Sequence, residues 1–166
     1  MATNKFISIS QWGLLHETKF LARLTDIFHK EKMPFKIDKV EPDNQFYCVD
    51  FIVKKNRRKI PLCYVELKSR QIIPPSYSYI RIGHAKMLNI REEIVNHKKS
   101  NAILVWWCVK SDALYYTPYS EEFCKYEKWF DKGCNSADIL IHMSKIKKTT
   151  FQEFAYHIMS VSSAST

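Results

Sequence analysis

Between Gln45 and Lys68 apolar residues run nearly unbroken through two stretches. Two strand-like runs, Gln45 to Lys54 and Ile60 to Lys68, flank the basic turn KKNRRK (Lys54 to Lys59). The pattern predicts an antiparallel hairpin, since strands joined by a short turn run in opposite directions. Side chains alternate across a strand. Phe46, Cys48, Asp50 and Ile52 therefore share one face, and Tyr47, Val49, Phe51 and Val53 the other. In the following strand Leu62, Tyr64, Glu66 and Lys68 share a face. Each run carries a carboxylate where a core residue is expected. A lysine follows the second carboxylate on the same face, near the strand ends.

Helical and strand patterns surround this hairpin. Ser8 to Lys32 reads as a helix, with Leu14, Leu21, Leu24 and Phe28 at helical spacing and Ser8 or Ser10 as its cap. Pro34 ends it, and Phe35 to Val40 alternates as a first strand. Gln71 to Ile80, with Pro74-Pro75, reads as a loop. Ile82 to Lys99 reads as a helix that buries Met87, Ile90, Ile94 and Val95. Asn101 to Lys110 is a buried strand that sends Trp106 and Trp107 to opposite faces, both into core. Ala113 to Tyr119 is another strand, after a Ser111-Asp112 turn. Ser120 to Phe130 reads as a helix, with Gly133 closing the segment. Ala137 to Met143 fits a short strand or a helical turn. Thr149 to Ser160 is a closing helix with Phe151, Phe154, Ala155 and Ile158 inward, and the tail VSSAST frays. This order predicts an α/β fold with a mixed central sheet flanked by helices. One domain is expected over residues 1–166, with a core of about 8–110 and a C-terminal elaboration over 111–166.

Composition narrows the class. The 166 residues are 46% hydrophobic and 14% aromatic, which excludes a disordered chain. With 3 glycines and 6 prolines, long flexible linkers are not expected. Apolar runs such as Ala102 to Val109 are too short to cross a membrane, and MATNKFISIS lacks a signal-peptide core. Five cysteines (Cys48, Cys63, Cys108, Cys124, Cys134) contain no C-x-x-C pair, as in reduced cysteines of an intracellular protein without a zinc site. A net charge of +9 favours a polyanionic partner. The basic residues gather in KKNRRK, at Lys98-Lys99, and at Lys145, Lys147 and Lys148.

The hairpin charges suit one chemistry. Hydrolysis of a phosphodiester needs an activated water and stabilisation of the charge that develops on phosphate. Mg²⁺ supplies both when one or two carboxylates hold it and leave positions open. Asp50 and Glu66 fit that role, and the Leu67 carbonyl is a further hard oxygen. Lys68, two positions after Glu66, shares its face and suits orienting the water or neutralising charge. Glu17 falls on the apolar stripe of the first helix, where a carboxylate is costly without a partner. Either it is a stripe-edge glutamate paired with Lys19 or Arg23, or it serves the site.

Asp50 followed by Glu66-Leu67-Lys68, after a helix bearing Glu17 and before a further helix and strand, resembles the PD-(D/E)xK nuclease superfamily. That family includes restriction endonucleases and Holliday-junction resolvases. The resemblance covers Ser8 to Val109 and implies a restriction endonuclease-like core. It implies a Mg²⁺-dependent deoxyribonuclease, with Mn²⁺ able to substitute. Asp50, Glu66, Lys68 and Glu17 are then catalytic, and Asp50, Glu66, Leu67 and Glu17 hold metal. The family's Pro-Asp pair maps literally onto Pro42-Asp43, but EPDNQ reads as a turn, and Asp50 is the better ligand. Ser69, Arg70, His84 and Lys86 are placed to contact nucleic acid near the site. Lys54, Lys55, Arg57, Arg58 and Lys59 either grip backbone phosphates or simply keep the turn soluble. The expected activity is an endonuclease with structure- or backbone-directed recognition of DNA, resolvase-like, and a resolvase would be a homodimer. The alternative is a catalytically inactive nucleic-acid-binding domain of the same fold.

Overall fold

The computed structural model describes residues 8–40, 49–57, 61–73, 75–97, 100–125, 128–130 and 137–163. Helix α1 (Ile9–Lys30) starts at a reciprocal capping box: the Gln11 amide donates to Ser8 Oγ (3.2 Å), and the Ser8 amide donates to Gln11 Oε1 (3.0 Å). Such a cap contributes about 1 kcal/mol. The helix buries His16, Phe20, Leu24 and Phe28, a run at i, i+4 spacing. The expected stripe is thereby rotated: Leu24 and Phe28 are inward, but Leu14 is 53% exposed and Leu21 only partly buried. The helix ends at Lys30, and Lys32 reverses the chain at φ 52° before Pro34.

Six strands form the main sheet in the order β1 (Phe35–Lys39), β2 (Phe51–Lys55), β3 (Pro61–Arg70), β5 (Asn101–Cys108), β6 (Ala113–Pro118), β9 (Lys147–Thr149). β1, β2 and β3 pair antiparallel; β3 and β5 pair parallel; β5, β6 and β9 pair antiparallel. The sheet is thus mixed and helix-flanked, as the pattern predicts. Parallel pairing requires a crossover. It is made by β4 (Tyr79–Gly83), α2 (His84–Asn89) and a π-helical segment, Ile90–His97. Because both faces of β3 and β5 are covered, their buried runs are continuous, Cys63 to Leu67 and Ala102 to Cys108.

Each face carries its own core. On one, α1 and α3 (Phe151–Ser163) pack Phe20, Leu24, Phe154 and Ile158 against Phe51, Val53, Val65, Leu67 and Trp107. On the other, Met87, Ile90 and Ile94 pack against Tyr64, Leu104 and Trp106. Fully burying one such side chain contributes about 1.5–3 kcal/mol. The tryptophans do point to opposite faces.

The C-terminal third departs from expectation. The helix expected over Ser120 to Phe130 is a short 3₁₀ turn, Glu121–Lys125, followed by β7 (Lys128–Phe130). β8 (Ala137–His142) is a strand and lies between β4 and β7 in a second, three-stranded sheet. β4 takes up the end of the expected loop and the start of the expected second helix. Its sequence YIRIG alternates buried and exposed residues, so period two wins there. β9 was not expected, and it closes one edge of the main sheet with KKT. At the opposite edge β1 shows Lys36 exposed and Lys39 partly buried. The hairpin strand is described from Phe51; Gln45 to Cys48, Pro42-Asp43 and Gly133 lie outside the described residues.

Candidate active site

Among the described residues the last main-chain bond between the β2 side and β3 is made by Asp50, whose amide donates to the Val65 carbonyl (3.0 Å). Beyond this point the Asp50 side chain takes over: the Leu67 amide donates to Asp50 Oδ2 (2.7 Å). This bond ties the carboxylate to β3, close enough for its charge to act on Glu66. Val65 and Leu67 face the α1 core, so alternation turns Glu66 and Lys68 toward α2.

Glu66 is 1% exposed. Its Oε1 lies 2.8 Å from the Lys68 ammonium and its Oε2 lies 2.9 Å from that of Lys86, on α2. Both distances are those of charge-assisted contacts, and a hydrogen bond from Lys68 is among the influences that lower the Glu66 carboxyl. Burial, followed by the nearby Asp50 charge, pushes the Glu66 carboxyl up to about 7; Lys68 and Lys86 pull it down. The indole N–H of Trp106, paired with Lys68 in the β3–β5 register, is buried without a partner.

Among the described residues the fold brings together Asp50, Glu66, Lys68 and Lys86. Lys86 was expected only as a substrate contact; alternation along β3 says nothing of what a helix start on the crossover delivers. Glu17 is held elsewhere, its Oε2 lying 2.8 Å from the Lys39 ammonium on β1. Lys39 alternates with Phe35 and Ile37, so this pair lies in the α1 layer. Arg23, one of the partners considered for Glu17, instead pairs with Asp112. No group of three His, Cys, Asp or Glu side chains able to hold a metal occurs among the described residues. Asp50 and Glu66 still fit Mg²⁺, which takes one or two carboxylates and fills its other positions with water. Leu67 contributes a main-chain carbonyl between Glu66 and Lys68; its side chain is in the core.

The remaining candidates are spread out. Ser69 is partly buried, and Arg70 ends β3. His84 is the partly buried first residue of α2. In the basic turn Lys54 lies 3.6 Å from Asp38, Lys55 is partly buried, and Arg57 is exposed at φ 69°. Arg58 and Lys59 lie outside the described residues. Among the described residues no helix is long and apolar enough to cross a membrane.

No family model and no curated protein matches the chain. Among solved structures, a nuclease from a fusselovirus is similar, with a TM-score of 0.60 and 15% sequence identity over 97% of this chain and 98% of that one. The likeness extends through the C-terminal third, for which the sequence offered no counterpart.

Proposed function

We propose that this chain is a metal-dependent nuclease of the PD-(D/E)xK type that hydrolyses DNA phosphodiester bonds, endonucleolytically and by structure- or backbone-directed recognition. The observation that carries the reading is Glu66: a fully buried carboxylate beside Asp50 and between two lysines. The fold shared with a viral nuclease supports it. Asp50 and Glu66 would hold Mg²⁺, with the Leu67 carbonyl as a third oxygen. When bound, such an ion lowers the pKa of its water and offsets negative charge on phosphate. Lys68 lies on the strand face that meets substrate; its ammonium orients the attacking water and neutralises the phosphate oxygens. Lys86 is positioned to share that work from α2. The Asp50 bond to the Leu67 amide keeps the two carboxylates in register. An intracellular homodimer, with two such sites for paired nicks, is part of the same reading.

One observation favours the rival, an inactive nucleic-acid-binding domain. Asp50 and Glu66 bring two negative charges, and Lys68 and Lys86 bring two positive ones, so the cluster has no excess charge for a cation. A panel of labelled linear, single-stranded, forked and four-way DNAs, with Mg²⁺, with Mn²⁺ and with EDTA, separates the two. Metal-dependent cutting that vanishes in Lys68→Ala supports the nuclease. Tight, metal-independent binding without cutting overturns it.

A further inference from the structure

Glu66, Lys68 and Arg70 fall on one face of β3 by alternation. Where the strand ends, a cleft of about 650 Å³ opens, lined by Arg70, Tyr77, Tyr79 and Arg81 among others. A second cleft of about 530 Å³ lies on the far side of Tyr79, with His142 and Lys145 in its wall. Tyr79 and His142 are cross-strand partners of β4 and β8, and their rings meet edge-on at 5.0 Å. Tyr79 and Leu140 line both clefts. Tyr79 is 51% exposed and Tyr77 is 55% exposed, two large rings held out in water in a cleft that Arg70, at the end of β3, also lines. Clustered exposed apolar surface of this kind marks a binding face.

The charges around the rings point to the ligand. Arg70 ends β3 exposed, and Arg81 is exposed on β4; both line the first cleft. Arg81 itself lies 3.7 Å from Asp138. Among the described residues Arg70, Arg81 and Lys145 give the clefts three cations, with Asp138 as the carboxylate paired to Arg81. A DNA duplex presents phosphates but stacks its base faces internally, so exposed rings give it nothing. An unpaired strand offers phosphates to the arginines and base faces to the tyrosines.

We propose that the double cleft holds an unpaired DNA strand leading away from the scissile phosphate, with bases stacked on Tyr77 and Tyr79 and phosphates on Arg70 and Arg81. This rests on the nuclease reading and narrows its substrate to DNA with a single-stranded segment beside the cut.

The test is fluorescence anisotropy of labelled oligo-dT and of a duplex of equal length with the whole chain in EDTA. The variants are Tyr79→Ala and Tyr79→Phe. Oligo-dT should bind more tightly than duplex. Tyr79→Ala should weaken oligo-dT by roughly tenfold or more and duplex by less than about twofold, while Tyr79→Phe, which keeps the ring, stays near wild type. Equal binding of both DNAs, equal losses on both, no loss with Tyr79→Ala, or a loss with Tyr79→Phe as large as with Tyr79→Ala overturns the proposal. Cleavage of an overhang substrate in Mg²⁺ is read separately. Tyr79-dependent binding without any cleavage leaves the cleft standing and removes the nuclease reading. Cleavage indifferent to Tyr79 does the reverse.

Discussion

Replacing Glu66 with glutamine isolates what the buried charge costs the fold. The carboxyl is pushed from an ordinary 4.5 to about 7, with burial as the leading cause. A folded-state value above the unfolded one means that the folded chain binds the proton more tightly. The stability this provides is complete below about pH 4.5 and is lost as pH rises through about 7. This is the reverse of the usual salt-bridged carboxylate. A displacement of that size corresponds to about 3 kcal/mol. Glu66 is 1% exposed, so solvent screening removes little of it. Glu66→Gln keeps the shape and mimics the protonated form, while Lys68 and Lys86 remain exposed enough to hydrate. Urea denaturation in EDTA, from about pH 4 to about pH 8.5, should show the two proteins equally stable at the acid end. At the alkaline end the variant should be more stable by about 3 kcal/mol, or roughly 6–12 °C in Tm. A difference that stays flat with pH refutes the reasoning. So does wild type gaining on the variant as pH rises, because the two lysines would then outweigh burial.

Lys68→Ala should reduce cleavage by roughly 10²–10⁴-fold in a DNA nicking assay. Asp50→Asn should abolish cleavage yet stay within about 1 kcal/mol of wild-type stability, because the amide oxygen still accepts from Leu67; Asp43→Ala should cut normally. Glu17→Gln should lower stability by about 1 kcal/mol or less, through loss of the Lys39 pair, and change cleavage by less than about tenfold; a loss as deep as that of Asp50→Asn would return Glu17 to the metal set. Lys86→Ala removes a charge that lowers the Glu66 carboxyl, so the pH window of the urea experiment should move upward; an unmoved window would show that Lys86 does not act on Glu66.

The centre of the fold was legible because β2, β3 and β5 obey a period of two or run apolar throughout, and tertiary packing agrees with both signals. Asp50, Glu66 and Lys68 follow from that alternation alone. The facing of α1 does not follow, because a helix with apolar residues at Leu14, Leu15, Phe20, Leu21 and Leu24 offers more than one stripe. The ring contacts of His16 with Trp12 and Trp107 accompany the face that is buried. β7 and β9 span three residues each, too few for any period to register. Lys86 reaches Glu66 only because the crossover lays α2 over β3, a long-range placement that no local pattern records.

The two edges of the six-stranded sheet are β1 and β9, and both are lined with lysine: Lys36 and Lys39 on one, Lys147 and Lys148 on the other. An open edge is a template for a foreign strand, and an incoming strand here would have to bury those ammonium groups. The basic residues near the C-terminus therefore guard against sheet-to-sheet growth, whatever polyanion they also attract. A second copy of this chain would be turned away from both rims of this sheet, and a two-fold assembly would have to form through helices, loops or the smaller sheet.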